Sequence, residues 1–130
     1  MRKLLIVSAL LVTTIVSSCS KLDYGSSIND LIGTEWSYQD SDGTIGVKFY
    51  RDNVVTSFLD TKNGVETING TYEYFVSTKT ISFKGLTWYY TDTGKVAFTI
   101  NGAHIVDSKT MEVVIRLPDG SVETDHLYRK

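Results

Sequence analysis

The sequence predicts an all-β protein, an eight-stranded antiparallel up-and-down barrel that is closed or nearly closed. Three observations lead there. The 130 residues contain one proline and no long segment with helical spacing, and they are rich in Val, Ile, Thr, Tyr and Phe. Apolar and polar side chains alternate along short segments, with turn sequences such as Asn-Gly and Asp-Gly between them. Connections this short allow only antiparallel neighbours, and pairing the first strand with the last removes both exposed edges.

The strands follow one another at short, regular intervals. Alternation and turn signals predict them at residues 34–39, 44–50, 54–60, 65–76, 80–90, 95–106, 110–117 and 121–129. Asn69-Gly70 and Asn101-Gly102 interrupt two of these segments. Each is either a bulge that bends a long strand or a hairpin that splits it, and we favour bulges because splitting leaves very short fragments. Gly85 marks a third bend.

One face of most strands is apolar and is predicted to form the core. Its members are Ile45, Val47, Phe49, Tyr72, Tyr74, Val76, Ile81, Phe83, Val96, Phe98, Ile100, Met111, Val113, Ile115 and Leu117. Most of these side chains are large, and an eight-stranded barrel is only just wide enough to be filled by side chains or to hold one small ligand. We therefore expect a filled interior rather than a deep ligand pocket.

The N-terminus has the pattern of an export signal. Arg2 and Lys3 precede an apolar run over residues 4–16, which is too short to span a membrane, and small residues follow it. Val16-Ser17-Ser18-Cys19 then resembles the lipobox of bacterial lipoproteins. In that family the cysteine is acylated, becomes the first residue after cleavage and anchors the protein in the membrane. Cys19 is the only cysteine in the chain, so no internal disulfide is possible.

This pattern divides the chain into three parts. Residues 1–18 are predicted to be a removed signal peptide, 19–25 a lipid-bearing tether and 26–130 the barrel domain. A short helical turn is expected over residues 26–33, with Ser27 as its N-cap. Without Arg2 and Lys3 the mature chain has 11 basic and 15 acidic residues, a formal charge of −4. This unclustered, mildly acidic balance argues against nucleic acid as a partner.

Four segments in order resemble the small lipocalin-like barrel lipoproteins of Gram-negative cell envelopes. The segments are Leu31-Ile32-Gly33-Thr34-Glu35-Trp36, Val47-Lys48-Phe49, Gly70-Thr71-Tyr72-Glu73-Tyr74 and Thr80-Ile81-Ser82-Phe83. The first resembles the L-x-G-T-x-W entry into the first strand of that group. The resemblance implies a lipocalin-like barrel in which Trp36 plugs one end. It implies no particular ligand. The mature chain is much shorter than a classical lipocalin, so the retinoid- or lipid-type binding of classical lipocalins is not carried over.

The residues needed for catalysis do not form a recognisable motif, so we expect no enzyme and no cofactor beyond a covalent lipid on Cys19. His104 and His126 lie on separate predicted strands, and nothing in their spacing requires them to meet at a metal. Asp40 and Asp42 fall in a turn signal, where aspartate is favoured for backbone reasons.

Trp88-Tyr89-Tyr90 is the candidate binding surface. On a strand, Trp88 and Tyr90 share one face and Tyr89 takes the other, so at least one large aromatic points outward. Such a ring either binds a partner or merely covers the barrel exterior.

The function predicted from these features is a membrane-anchored, non-catalytic binding or interaction barrel. The partner is an envelope protein, a glycan or a small amphiphile. The alternatives are an accessory subunit of an envelope complex and, less favoured, a carrier with an internal pocket. Ser20 after Cys19 is compatible with sorting to the outer membrane.

Overall fold

A computed structural model describes residues 30–130 of the chain. These residues form nine β-strands: β1 (Glu35–Asp40), β2 (Gly43–Phe49), β3 (Val54–Thr61), β4 (Gly64–Phe75), β5 (Thr80–Lys84), β6 (Thr87–Tyr89), β7 (Val96–Asp107), β8 (Thr110–Arg116) and β9 (Val122–Arg129). No helix within residues 30–130 is long and apolar enough to cross a membrane. The predicted helical turn begins at residues 26–29, which lie outside the described part of the chain; residues 30–33 form a turn.

The strands form a closed antiparallel barrel, which confirms the predicted fold class. Each strand from β1 to β4 pairs with the next, β9 pairs with both β1 and β8, and β7 pairs with β8. Both β5 and β6 pair with β7, so these two short strands act as a single strand interrupted at Gly85 and Leu86. Gly85 has a φ of +86°, a conformation that favours glycine. The barrel therefore has eight strand positions, with the bend at the predicted place.

The two internal Asn-Gly pairs behave differently from each other. The register between β7 and β8 shifts between Ile100 and Gly102, which confirms the bulge predicted there. The prediction of a bulge at Asn69-Gly70 is wrong, because β4 runs through this pair in unbroken register with β3. Gly70 has another role: a Cβ on it would lie 2.2 Å from the Lys84 carbonyl oxygen. The residue lets β5 approach β4 closely as the chain bends toward β6.

Side chains fill one end of the barrel, which we call the closed end; it carries the turns at residues 50–53, 76–79 and 108–109. Phe49 is fully buried there and packs edge-on against Tyr72, with ring centroids 4.9 Å apart. Phe83, which pairs with Tyr72 across the sheet, also stacks on Phe49, with ring centroids 6.0 Å apart. Met111 is also fully buried in this cluster. The expected filled interior is therefore present at this end.

Trp36 lies in the core near the closed end, at the start of β1, and is almost fully buried. Its indole Nε1 donates a hydrogen bond to Thr34 Oγ1 at 2.9 Å, and that hydroxyl donates to the Leu31 carbonyl oxygen at 2.6 Å. These bonds satisfy the buried polar groups of the segment that covers the barrel end. The Arg129 guanidinium lies 5.9 Å from the centroid of the Trp36 ring.

Two predicted core residues prove to be exposed, and both lie at or beyond a strand end. Val76 follows the last residue of β4 and lies in the turn to β5. Val96 is the first residue of β7, opposite a register shift between Trp88 and Tyr89. Ala97 and Phe98 are both buried in its place. Ile45, Tyr74 and Leu117 are half-buried, and the remaining predicted core residues are buried.

Candidate functional site

A cavity opens where the first and last strands of the barrel part. Only two residue pairs join β1 to β9: Trp36 with Arg129 and Ser37 with Tyr128. Beyond Ser37 the two strands diverge toward the other end of the barrel, the open end, which carries the turns at residues 41–42, 62–63, 90–95 and 117–121. A cavity of about 300 Å³ lies between them. We call it the seam cavity.

The inner walls of the seam cavity are apolar. They are formed by Ile45 of β2, Ala97, Phe98 and Ile100 of β7, Val113 and Ile115 of β8, Leu117 after β8 and Leu127 of β9. Most of these side chains are otherwise buried in the core. The volume lies at the lower end of the range of small-molecule sites. The expectation of a filled interior is therefore wrong at the open end, because β1 and β9 do not close over these side chains.

Three carboxylates stand around the cavity. Asp40 belongs to β1, while Glu123 and Asp125 belong to β9, so both sides of the parted seam are acidic. Among the described residues that line the cavity there is no lysine, arginine or histidine. The Asp42 backbone N–H donates a 2.7 Å hydrogen bond to Asp40 Oδ1, which fixes this carboxylate at the end of β1.

The predicted aromatic surface is divided between the inside and the outside of the barrel. Trp88 is only 3% exposed, so the prediction that it belongs to a binding surface is wrong. Tyr89 points outward and is 53% exposed. Tyr90 is on the inward side with Trp88, as the alternation predicts, and lines the seam cavity together with Tyr38 of β1. Both of these rings are partly exposed and stand at the cavity edge.

Trp88 does not line the seam cavity itself, but it supports residues that do. Its Nε1 donates a 3.1 Å hydrogen bond to Ser57 Oγ of β3, and Ser57 Oγ donates a 3.1 Å bond to the Gly46 carbonyl oxygen. The Trp88 and Phe98 rings lie 6.5 Å apart. Because Phe98 and Gly46 both line the cavity, this buried chain of bonds holds parts of two cavity walls in place across the barrel.

The two histidines lie on either side of one glutamate in the pairing of three strands. His104 pairs with Glu112, which pairs in turn with His126. The His126 Nε2 to Glu112 Oε2 distance is 3.6 Å, and all three residues are partly or fully exposed. Across residues 30–130, no group of three His, Cys, Asp or Glu side chains is placed to hold a metal ion. Cys19, the predicted lipid site, lies outside the described residues.

The sequence did not single out the acidic side of the cavity. Along β9 the inward positions are Glu123, Asp125 and Leu127, and the outward ones include Val122 and Tyr128, so neither face looks apolar. Only the pairing of β9 with β8 assigns the faces: Asp125 is opposite Val113, which is buried. The available signal in the sequence was the alternating series Glu123, Asp125 and Leu127, in which two carboxylates share a strand face with a leucine.

Comparison with known proteins adds no name to this site, since no family model, no curated protein and no solved structure matches the chain. The fold is therefore established by the strand pairing alone. The resemblance to small lipocalin-like lipoproteins stays a prediction from sequence motifs, as does the N-terminal signal.

Proposed function

We propose that the protein is a lipid-anchored, non-catalytic binding module of the bacterial cell envelope, whose barrel takes one small amphiphile in the seam cavity. The observation that carries this proposal is the apolar cavity itself. Its walls are core side chains from β2, β7, β8 and β9 that the parted seam leaves accessible. Covering apolar surface is worth about 25 cal/mol per Å², so a ligand with an apolar body gains by entering.

Small size and rigid walls suit binding better than catalysis. The cavity is lined by strands of a closed barrel, and within residues 30–130 the lining offers three carboxylates and two phenols but no serine, threonine, lysine or histidine. These lining residues therefore include no serine or threonine nucleophile beside an imidazole base. The most economical function of such a lining is to hold a ligand by its apolar part and orient its polar part.

The anchor is proposed from the sequence around Cys19. Two or three acyl chains on one residue hold a protein on a membrane far more firmly than a single chain does. The Cys19→Ala variant is expected to lose incorporation of radioactive palmitate and cleavage before residue 19. Ser20→Ala, which keeps the thiol, should be labelled like the wild type. Labelling of Cys19→Ala would contradict the anchor without affecting the cavity.

Binding is tested by filling the cavity. The probe is 4-phenylbutanol, a small water-soluble molecule with an apolar body, titrated by calorimetry into the full chain in phosphatidylcholine nanodiscs. Ala97 lines the cavity, so Ala97→Phe is expected to weaken binding at least about ten-fold by occupying the site. Ala97→Leu should weaken it less.

Tyr89→Ala is the control, because Tyr89 projects from the outer surface. This variant is expected to bind like the wild type. Undiminished binding by both Ala97 variants would place the ligand elsewhere and contradict the proposal. If Tyr89→Ala alone lost binding, the outer surface would be the site, as an interaction module requires.

A further inference from the structure

We propose that the seam cavity selects a cationic amphiphile, a molecule with an apolar body and a protonated amine. This inference rests on the proposed function, since it names the ligand class of the same cavity. The apolar walls define where the ligand lies, and the charges around the opening define which head group it carries. Asp40, Glu123 and Asp125 supply negative charge there, and none of the lining residues within 30–130 is cationic.

The strand register shows how the carboxylates face one another. Trp36 pairs with Arg129 and Ser37 with Tyr128. If the ladder continued in the same register, Asp40 would stand directly opposite Asp125. Like charges directly opposite each other on neighbouring strands destabilise the pairing. The ladder ends three positions before this pair, so the two carboxylates stand on either side of the parted seam, and a cation between them would be attracted by both.

The geometry of the opening suits an ammonium group. Asp40 Oδ1 accepts the Asp42 N–H, so the carboxylate is held in a defined orientation on one side of the seam. Hydrogen bonds between an amine cation and a carboxylate are stronger than those between neutral groups. Tyr38 and Tyr90 also line the cavity, and the face of an aromatic ring attracts a cation. An anionic head group would meet the same carboxylates and be repelled.

The test compares three probes that share one apolar body: 4-phenylbutylamine, 4-phenylbutanol and 4-phenylbutanoate. Each is titrated by calorimetry into the full chain in zwitterionic phosphatidylcholine nanodiscs, and heats from empty nanodiscs are subtracted. We expect the amine to bind at least about ten-fold more tightly than the alcohol, and the carboxylate to bind most weakly. The preference should shrink between about 0.01 M and about 1 M ionic strength, as the Debye length falls from about 30 Å to about 3 Å.

Variants assign the preference to the seam. In Asp40→Asn combined with Asp125→Asn, the amine should bind within about three-fold of the alcohol. Glu73→Gln is the matched control, because it removes one negative charge from the outer face at the closed end. It should keep the full preference for the amine.

The outcomes separate this inference from the function on which it rests. Equal binding of all three probes would overturn the inference and leave the cavity as a ligand site. Failure of all three to bind would overturn both. An amine preference that survives in the double variant would show that other groups create it, and would overturn the role assigned to the seam carboxylates.

Discussion

The two ends of the barrel are built largely from the same strands, but side chains fill one end and the other contains a cavity. At the closed end, Phe49 packs against both Tyr72 and Phe83, and the first and last strands are hydrogen-bonded. At the open end, Tyr38 and Tyr90 stand half-exposed around a cavity, and those two strands no longer pair. Alternating apolar residues alone do not fill a barrel, because filling also requires the wall around them to close.

The charges beside the β1–β9 seam also differ between the two ends of the barrel. At the closed end, Glu35 of β1 lies 3.5 Å from the Lys130 ammonium just after β9, and its backbone carbonyl accepts the Lys130 N–H. At the open end, carboxylates stand on both strands. Exposed ion pairs contribute little to stability, so the backbone ladder holds the closed end together. The sign of the charges is consistent with where that ladder stops.

The largest expected difference between the ends is in the cost of removing an aromatic ring. Phe49 is fully buried and Tyr38 is 39% exposed. Phe49→Ala should lower the free energy of unfolding by about 3–5 kcal/mol. Tyr38→Ala should lower it by less than about 1 kcal/mol. Urea unfolding of both variants measures this, and similar losses would contradict the contrast between a packed end and an open one.

Two alanines of β7 give a matched test of free space. Ala97 lines the seam cavity and Ala103 lies farther along β7 toward the closed end, and both are buried. Ala103→Leu should destabilise the protein by about 1–3 kcal/mol through overpacking. Ala97→Leu should change stability by no more than about 0.5 kcal/mol, because the added atoms enter the cavity. Thermal unfolding compares them, and an equal cost would mean that the cavity cannot accept these atoms.

The smallest effect concerns Glu66, which lies near the open end opposite Leu59 of β3. Burial raises the pKa of this carboxyl group above its ordinary value. The folded state therefore holds the proton more tightly than the unfolded state. Stability falls as pH rises from the ordinary value through the raised one.

Glu66→Gln should remove that pH-dependent loss, with a gain at neutral pH within about 0.5 kcal/mol. The measurement is the free energy of unfolding in urea between about pH 4 and pH 7. Glu73→Gln, which replaces an exposed glutamate of the same strand, is the control variant measured in parallel. A pH profile of Glu66→Gln identical to that of the wild type would contradict the idea that burial disfavours the charged form of Glu66.

The barrel was predictable because local signals determine most of it. Short turns require antiparallel neighbours, and the bend at Gly85 was visible as a glycine within a long strand. The burial of Val76 and Val96 was mispredicted because alternation does not locate strand ends. At Gly70, the sequence could not distinguish a glycine needed for close backbone approach from one that forms a bulge.

The cavity was not predictable by the same means. It exists because β1 and β9, at opposite ends of the described chain, pair over only two residues. No local sequence pattern determines how many residue pairs form between two strands so far apart in the chain. Asp40 looked like a turn residue in the sequence, and its position near Asp125 appears only once the barrel closes. The sequence likewise did not determine which of Trp88 and Tyr89 points into the barrel, and the pairing of β6 with β7 decides it.

A crystal structure of the protein with 4-phenylbutylamine would show directly whether the seam cavity holds a cationic amphiphile. The phenyl ring is expected to lie in the seam cavity against Ile100 and Ile115. The amine should lie between β1 and β9, about 2.7–2.9 Å from a carboxylate oxygen of Asp40 or Asp125. A ladder between β1 and β9 that continues to Asp40 and leaves no cavity would contradict the account, as would a ligand bound on the outer surface beside Tyr89.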